Sequence, residues 1–273
     1  MKSFEFEQWD RGRFTVNAEF ADLFRAHQLD TFNALMNYSD GEVAKALLRE
    51  RVTTRFSLQN HEGVETMFYI KRHRRPPWKE YLKPLLRFTW PILGAENEWN
   101  AILGFHQAGI NTMIPVALGK QAGESFLVTQ AIENCEKLSD WMESRLKPDR
   151  RDDTETARIV EELADITRRM HSAGLHHQDY YLTHFLLPHD SHQRGIHVID
   201  LGRARRLAGL SRRWIVKDLA QLNYSAHLFN DDDRERFLKT YFGRPLTRSD
   251  QRLLKTVLRK TERIARHSRK NRL

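Results

Sequence analysis

Two acidic residues, Asp179 and Asp200, stand in contexts that constrain this chain more than any other feature of its sequence. Asp179 lies in the segment His176-His177-Gln178-Asp179-Tyr180-Tyr181-Leu182-Thr183-His184-Phe185-Leu186-Leu187. Asp200 comes 21 positions later, after the short apolar run Ile196-His197-Val198-Ile199 and before Leu201-Gly202. A carboxylate delivered by the end of a strand and followed by glycine is well placed to bind Mg²⁺. Either segment alone would be weak evidence, so the prediction rests on both and on their order.

The length and composition indicate a globular chain with a sizeable core. With 273 residues and 40% hydrophobic content, the chain can form one large or two small domains. No apolar run approaches the roughly 18 residues of a membrane span, and the N-terminal Met1–Glu7 lacks the apolar core of a signal peptide. The only cysteine is Cys135, which excludes an internal disulfide and a Cys-rich metal site. We therefore expect a cytoplasmic protein.

The chain is strongly basic, with a formal net charge of +9 at pH 7 and an isoelectric point near 9.7. Such a charge indicates an acidic partner: nucleic acid, an anionic membrane, or a phosphorylated or carboxylated substrate. The tail after Arg248 is the most basic part. It is either the solvated face of a helix or a surface for an anionic membrane, where each basic residue contributes about 1 kcal/mol. Its basic residues are Arg252, Lys255, Arg259, Lys260, Arg263, Arg266, Arg269, Lys270 and Arg272.

The first half of the chain is predicted to form a small β-rich lobe. Three candidate strands occur at residues 43–48, 52–58 and 66–71, with a turn at 59–63. A helix is predicted from 96 to 108, ended by Gly109, and two further strands at 116–118 and 125–129. Residues 1–34 show no clear pattern, and prolines at 76, 77 and 84 interrupt the chain.

The second half is predicted to be mainly helical. One helix runs to His171, with Thr154 or Thr156 as its N-cap and Gly174 as its end. Three more are predicted at 217–228, from 231 to a stop at Gly243, and from Ser249 onward. The predicted class is α+β, with an N-terminal, β-rich lobe at residues 1–132 and a C-terminal, helical lobe at residues 133–273.

The polar residues fit phosphoryl transfer, which requires a cation on the nucleotide phosphates, oxygen ligands for Mg²⁺ and a base for the acceptor. Lys71 ends the third predicted strand, and Glu98 on the next helix is its predicted partner, with Glu96 as the competitor. Asp179 is the predicted base, and Asp200 the predicted metal ligand. The ordered set is far more specific than any single member.

Two histidines accompany the predicted base. His177 is expected to hold the loop by hydrogen bonding. His184 stands five residues after Asp179, where a protein kinase has asparagine. Three roles remain open for His184: it could bind a metal, donate a hydrogen bond to a phosphate, or support Asp179.

Two sequence features of protein kinases are missing from this chain. The hairpin at 45–51 has no G-x-G-x-x-G loop, so phosphate contacts there would depend on backbone amides or on Arg49 and Arg51. Asp218, a predicted buried acid, follows Asp200 by only 18 positions, which leaves no room for a long activation segment. The segment between Asp200 and Asp218 is rich in arginine, which binds phosphate and carboxylate bidentately, so it could form a site for the acceptor. The alternative is a solvated basic loop. Its arginines are Arg203, Arg205, Arg206, Arg212 and Arg213.

These motifs resemble those of the bacterial lipopolysaccharide core kinases, the Kdo/heptose kinase family of the protein-kinase-like superfamily. The resemblance is carried by residues 92–102, 108–110, 177–187 and 198–201, and extends from about Ala44 to Tyr241. The pattern H-x-D-x-Tyr-x-x-His-Phe-Leu at residues 177–186 distinguishes this family from ordinary kinases, which keep asparagine where His184 stands.

The resemblance implies a two-lobed protein-kinase-like fold, ATP and Mg²⁺ as cofactors, and phosphate transfer to a heptose or Kdo hydroxyl of the lipopolysaccharide inner core. It also implies that the substrate is an acidic glycolipid, that the reaction takes place at the cytoplasmic face of the inner membrane, and that nucleic acid is not a partner. The residues expected at the nucleotide are Lys71, Glu98, Gln130 and Ile132; at the base, Asp179; at the metal, Asp200 and His184; and at the acceptor, Arg203, Arg205 and Arg206.

Three other interpretations remain. A kinase-like enzyme of the aminoglycoside or choline type is disfavoured by the pattern around His184. A non-catalytic kinase-like module that binds nucleotide or an anionic envelope component is disfavoured by the presence of Lys71, Asp179 and Asp200. A nucleic-acid-binding protein would account for the charge but would leave the ordered acids unexplained.

Overall fold

The computed structural model describes residues 3–48, 51–74, 94–147, 151–189 and 195–270. The chain divides into two compact units, residues 1–103 with 113–132 and residues 104–112 with 133–273. The sequence-based division placed 104–112 in the first unit. The structure places them in the second, where Arg169 donates to the Gly109 carbonyl and the Thr112 hydroxyl donates to the Val198 carbonyl. The prolines at 76, 77 and 84 and the side chains of Arg49 and Arg51 lie outside the described residues.

A seven-stranded antiparallel sheet is the basis of the first unit. Its strand order is β1-β2-β6-β7-β5-β4-β3. The five strands expected after residue 42 are confirmed, with somewhat longer bounds, whereas β1 and β2 come from the segment that showed no pattern. The strands are β1 (Phe6–Trp9), β2 (Phe14–Asn17), β3 (Glu42–Leu48), β4 (Arg51–Gln59), β5 (Glu65–His73), β6 (Ile114–Gln121) and β7 (Glu124–Gln130).

Alternation along β5 separates the core face of the sheet from the face that carries Lys71. Phe68, Ile70 and Arg72 are buried on one face, which places Lys71 on the other. Helices α1 (Ala21–Ala26) and α2 (Phe32–Asn37) contribute to the core on the first face. The buried Arg72 guanidinium donates to the Leu35 and Tyr38 carbonyls at 3.0 and 2.7 Å, and so attaches the end of α2 to the sheet.

Helix α3 (Glu96–Gln107) follows the predicted bounds closely. Its buried residues include Trp99, Ile102 and Phe105, spaced by three, which is the expected pattern of one inward face. Gly109 follows with φ of 69°, a left-handed conformation that glycine adopts without strain, so the chain can turn directly after the helix.

Five helices and two small sheets are described in the second unit. The helices are α4 (Leu138–Arg145), α5 (Asp153–Ser172), α6 (Arg212–Ser225), α7 (Asp231–Phe242) and α8 (Arg248–Lys270). One sheet has the order β11-β10-β8, and the other pairs β12 with β9. Their strands are β8 (Cys135–Lys137), β9 (Leu175–His176), β10 (Phe185–Pro188), β11 (His197–Val198) and β12 (Arg205–Arg206). None of the helices in the described ranges combines the length and apolar composition of a membrane span.

Two helix boundaries differ from the prediction. The N-cap of α5 is Asp152, whose carboxylate accepts from the Thr154 and Glu155 amides, rather than Thr154 or Thr156. The Thr156 hydroxyl instead donates to the Asp152 carbonyl at 2.6 Å, which places it inside the first turn. Helix α6 begins five residues before the expected Lys217 and ends three before Leu228, so that Arg212 and Arg213 lie in a helical turn rather than in a loop.

One face of α6 holds the segment that carries Asp179. The buried Asp218 carboxylate accepts from the His177 and Gln178 amides, both at 2.9 Å. Three and seven residues further along the same face, Gln221 accepts from the Tyr180 amide at 3.1 Å and the Ser225 hydroxyl from the Leu182 amide at 3.0 Å. Four backbone amides of this irregular segment are therefore satisfied by side chains of a helix.

Asp218 is ionised in this environment. Burial by itself would raise its pKa, but the His171 imidazole at 3.6 Å and the two backbone amides outweigh burial, and the pKa lies below the usual value. A fully buried carboxylate is costly unless its lone pairs accept hydrogen bonds, and the loop amides supply them.

Replacing Asp218 with asparagine should lower the free energy of unfolding by about 2–4 kcal/mol, because the amide group keeps one acceptor oxygen and presents a donor to the other loop amide. Urea unfolding of the purified protein measures the difference. Asp232→Asn, at an exposed position in the first turn of α7, is the matched control and should cost only a few tenths of a kcal/mol. Equal losses in the two variants would contradict the anchoring role of Asp218.

His176 should make the protein less stable in mild acid. The ring is buried, stacks on Trp214 at 4.4 Å, and has no hydrogen-bond partner for either nitrogen among the described residues. Burial, with smaller contributions from nearby cations, lowers its pKa to about 4, so the unfolded chain binds the proton first as the pH falls. Stability should be complete above about pH 6.5 and decline toward pH 4, by about 2 kcal/mol at pH 5.

Urea unfolding at pH 7.5 and pH 5 of the protein and of His176→Phe tests this expectation. Phenylalanine keeps the stacked ring and cannot take up a proton, so the variant should lose less stability between the two pH values. The same loss in both proteins would assign the acid sensitivity to other groups.

Candidate active site

The Asp179 loop and the turn at Asp200 both contain non-glycine residues in left-handed backbone conformations. Gln178 has φ of 72°, and Asp200 has φ of 59° and ψ of 55°. Such conformations are uncommon and cost free energy, so they persist where the surroundings hold them. Two hydrogen bonds fix Gln178 in this conformation: its amide donates to Asp218, and its side chain donates to the Arg203 carbonyl at 2.9 Å.

His177 joins these two segments. Its ring is fully buried, and Nε2 donates to the Ile199 carbonyl at 3.0 Å, directly before Asp200. Its Nδ1 accepts from the Asp179 amide at 3.3 Å, which fixes the tautomer with the proton on Nε2. Burial lowers the pKa of the ring, so the neutral form persists. His177 therefore holds the loop by hydrogen bonding, as expected from the sequence.

His184 lies between the two acids. Its Nδ1 is 2.7 Å from the Asp179 carbonyl oxygen, which can only accept, so Nδ1 carries a proton. Its Nε2 is 3.7 Å from Asp200 Oδ2. In the neutral ring, the Nε2 lone pair thus faces the Asp200 carboxylate, which is the arrangement of a histidine that can bind a metal beside a carboxylate. The same geometry also supports the Asp179 backbone, so two of the three roles considered for His184 are compatible.

Asp179 forms an ion pair with Arg203. The guanidinium lies 3.2 Å from Asp179 Oδ2, and it is itself mostly exposed. The other predicted acceptor arginines are placed elsewhere: Arg206 donates to the Ala173 carbonyl and to Gln107, and Arg205 lies in β12, paired with His176. Of the three, only Arg203 contacts the predicted base.

In the first unit, Lys71 and Glu98 form a close ion pair. Their N–O distance is 2.6 Å, and the Glu98 side chain is only 6% exposed. The competing Glu96 instead pairs with Lys120 at the surface, at 2.8 Å. Gln130 is the last residue of β7, in register with Phe68 on the strand that carries Lys71, and Ile132 follows it by two positions. Their contact with a nucleotide stays a prediction.

Two residues near Asp179 were not identified from the sequence. Lys217, on α6, is half-buried, and burial lowers its pKa; Arg203 and Lys260 add to this effect, while Asp179 and Asp218 oppose it. Tyr181 is also half-buried, its hydroxyl accepts from Gln221 at 3.2 Å, and burial raises its pKa. The only sequence signal was position, since Lys217 precedes a buried acid and Tyr181 follows the predicted base by two residues.

The donor set fits a metal ion that is shared with phosphate oxygens. In the part of the chain that the structure describes, no group of three or more histidine, cysteine, aspartate or glutamate side chains could hold a metal. Asp200, with its side chain 49% exposed, and His184 provide two donors. Mg²⁺ is commonly bound by one or two carboxylates together with substrate phosphates and water, so this incomplete set suits a nucleotide-bound metal better than a structural one.

Comparison with known proteins identifies the family of this chain. Residues 41–241 match the model of the lipopolysaccharide kinase (Kdo/WaaP) family. The chain is 38% identical over 215 residues to the lipopolysaccharide core heptose(I) kinase WaaP of Pseudomonas aeruginosa, covering 72% of this chain and 78% of the relative. It is 34% identical over 241 residues to the Escherichia coli K12 enzyme of the same name, covering 82% and 88%.

A solved structure, WaaP in complex with acyl carrier protein, is similar over 95% of this chain and 98% of that chain, with a TM-score of 0.71 and 27% identity. The predicted α+β, protein-kinase-like fold is thereby confirmed. The assignment of this protein as a phosphotransferase is confirmed as well, because the chain belongs to the lipopolysaccharide kinase (Kdo/WaaP) family.

Proposed function

We propose that this protein transfers the γ-phosphate of ATP to a hydroxyl of a heptose in the lipopolysaccharide inner core. The observation that supports this proposal most directly is the position of His184, whose Nδ1 donates to the Asp179 carbonyl at 2.7 Å while its Nε2 lies 3.7 Å from the Asp200 carboxylate. Relatives named heptose(I) kinases support heptose over Kdo as the acceptor sugar. The acceptor is lipid-anchored, so we place the reaction at the cytoplasmic face of the inner membrane, where the positive charge of the chain favours an anionic surface.

Asp179 is the proposed base. Its carboxylate would accept the proton of the attacking sugar hydroxyl, and the buried contacts of its loop keep it in one position without substrate-induced reordering. Arg203, paired with that carboxylate, is placed to attract an anionic group of the acceptor to the same point. Phosphoryl transfer depends mainly on such positioning and on charge neutralisation.

The nucleotide site is proposed from the first unit. The Lys71 ammonium, held by Glu98, would contact the nucleotide phosphates, and Gln130 and Ile132 would lie at the nucleotide. Asp200 and His184 would hold Mg²⁺ together with the phosphates. When bound, Mg²⁺ neutralises phosphate charge and orients the transferred group.

Asp179→Asn should lower kcat for phosphate transfer to core glycolipid by about 10³-fold or more, because the amide cannot accept the proton. Asp200→Asn should lower activity through metal binding, so raising the Mg²⁺ concentration should restore part of it, whereas the Asp179 variant should not respond. The assay follows radiolabelled phosphate from ATP into glycolipid that was isolated from a strain lacking the kinase.

Exposed Asp232→Asn is the control for these two variants and should retain full activity. Unfolding curves establish that all three remain folded. Activity of Asp179→Asn within tenfold of the unmodified protein would exclude Asp179 as the base. An unchanged phosphate content of the core oligosaccharide in a deletion strain, measured by mass spectrometry, would contradict the proposed function itself.

Replacing His184 with asparagine tests whether its ring binds metal. A nitrogen ligand favours Mn²⁺ over Mg²⁺ more than an amide oxygen does, so His184→Asn should raise the ratio of Mg²⁺-supported to Mn²⁺-supported activity by severalfold. His184→Ala, which removes both the donor to the Asp179 carbonyl and the side-chain ligand, should be the weaker enzyme with either metal. An unchanged metal ratio in His184→Asn would leave only the role of supporting Asp179.

A further inference from the structure

A cavity of about 630 Å³ opens in the second unit beside the Asp179 loop. One wall is the loop and α6, and the other is the C-terminal half of α8. Neither the proposed base nor the proposed metal ligands line it, so it is a feature separate from them. Its main lining residues are Tyr181, Tyr224, Lys260, Arg263, Ile264 and His267.

The position of α8 against α6 determines which basic side chains reach this cavity. Val257 and Ile264 of α8 pack in a cluster with Val216, Leu219 and Ala220 of α6. The hydroxyl of Thr261, on the same face of α8, accepts from Asn223 of α6 at 3.2 Å. Because residues three and four apart share a helix face, this packing turns Lys260, Arg263 and His267 toward the cavity along one side of the buried stripe.

The cavity wall is chemically suited to an anion. No carboxylate lines it, and neither Lys260 nor Arg263 forms an ion pair with any described residue. The Tyr181 hydroxyl accepts from the Gln221 amide, so its own proton has no acceptor in the described part of the chain and is available to a ligand. Tyr224 contacts Tyr181 edge to face, with ring centroids 6.4 Å apart, and completes an aromatic surface on which a sugar ring can pack.

Positive charge extends from the cavity to Asp179. Tyr181 follows Asp179 by two residues in the same loop, and burial, with a smaller contribution from the Asp179 charge, raises the pKa of its hydroxyl. Half-buried Lys217 on α6 interacts electrostatically with Asp179, with Arg203 and with Lys260 of the cavity wall. An acceptor whose hydroxyl is at Asp179 would therefore have its neighbouring anionic group beside Lys260 and Arg263.

We infer that this cavity is a binding subsite for a carboxylate or phosphate group of the acceptor, recognised by Lys260, Arg263 and the Tyr181 hydroxyl. The inference rests on the proposed function and adds to it the chemistry by which the acceptor is selected. It divides the basic residues of α8 into two sets. Lys260 and Arg263 contact the acceptor, whereas Lys255, Arg259 and Arg266 lie on the opposite side of the helix from the packed stripe and provide general charge only.

The experiment compares Lys260→Gln/Arg263→Gln with Arg259→Gln/Arg266→Gln in the full-length protein. Each pair removes two positive charges from exposed positions of one helix, so both should remain folded and should lose the same long-range attraction to an anionic surface. Steady-state phosphate transfer is measured with core glycolipid from a strain lacking the kinase. We expect the first pair to raise KM for glycolipid about tenfold or more, with KM for ATP unchanged, and the second pair to change it less than twofold.

Chemically altered acceptors identify the recognised group. The same glycolipid is assayed after reduction of its carboxylates to alcohols and, separately, after removal of its phosphates. The defect of the first pair should disappear with whichever acceptor lacks the contacted group, since the partner of the missing cations is then absent as well. Loss of the defect with one acceptor therefore assigns the subsite to carboxylate or to phosphate.

Two results would overturn the inference. Equal effects of the two variant pairs would show that α8 acts only through its general charge, and a defect that persists on both altered acceptors would show that the cavity does not recognise an anion. Failure of the proposed function is distinguishable from these, because the unmodified protein would then transfer no phosphate to any of the three acceptors.

Discussion

The buried carboxylate of Asp218 is the contact on which the position of the Asp179 segment depends. It binds the amides of His177 and Gln178 at the point where the chain leaves β9, and Gln221 and Ser225 on the same helix face bind two more amides. The amides of an irregular loop lack the backbone hydrogen-bond partners that a sheet or helix provides. Side-chain acceptors spaced along one helix face can supply those partners instead. Asp218, which has no role in the proposed reaction itself, thereby determines where Asp179 lies.

Histidine chemistry then connects this anchored loop to the second acidic segment. His177, kept neutral by burial, spans from the Asp179 amide to the Ile199 carbonyl, and His184 spans from the Asp179 carbonyl toward Asp200. The two rings stack, with centroids 5.8 Å apart. His177 uses both ring nitrogens in hydrogen bonds and His184 uses Nδ1, so the backbone partners set the tautomer of each ring. The histidine that distinguishes this loop from that of ordinary kinases is thus part of its support and is also placed to bind a metal.

Much of the fold follows from patterns in the sequence. Alternation along residues 65–73 and the apolar face of residues 96–107 were sufficient to place β5 and α3, because one side of each element is buried. Strands β1 and β2 were missed because each has only four residues, which is too short for alternation to stand out, although Gly12 in the turn between them adopts positive φ. The first turn of α6 was missed because Arg212 and Arg213 are exposed and carry no apolar periodicity. The Asp152 cap was missed because aspartate and threonine are both common N-cap residues, and residue type alone does not choose between them. In the structure the Thr156 hydroxyl is used within the helix.

The sequence by itself determined the order of the chemical groups: a strand-end lysine, a helical glutamate, a loop aspartate and a second aspartate before a glycine. That order indicated phosphoryl transfer, and the pattern around His184 at residues 177–186 indicated the family. Only the tertiary structure decided which of Glu96 and Glu98 pairs with Lys71, which arginine contacts Asp179, and which basic residues of α8 face the Tyr181 cavity. The physical reason is that these outcomes depend on how elements distant in sequence pack against each other. Successive side chains on a helix point about 100° apart, so the packing of the helix decides which of them reaches a given partner. The composition of the chain does not contain this information.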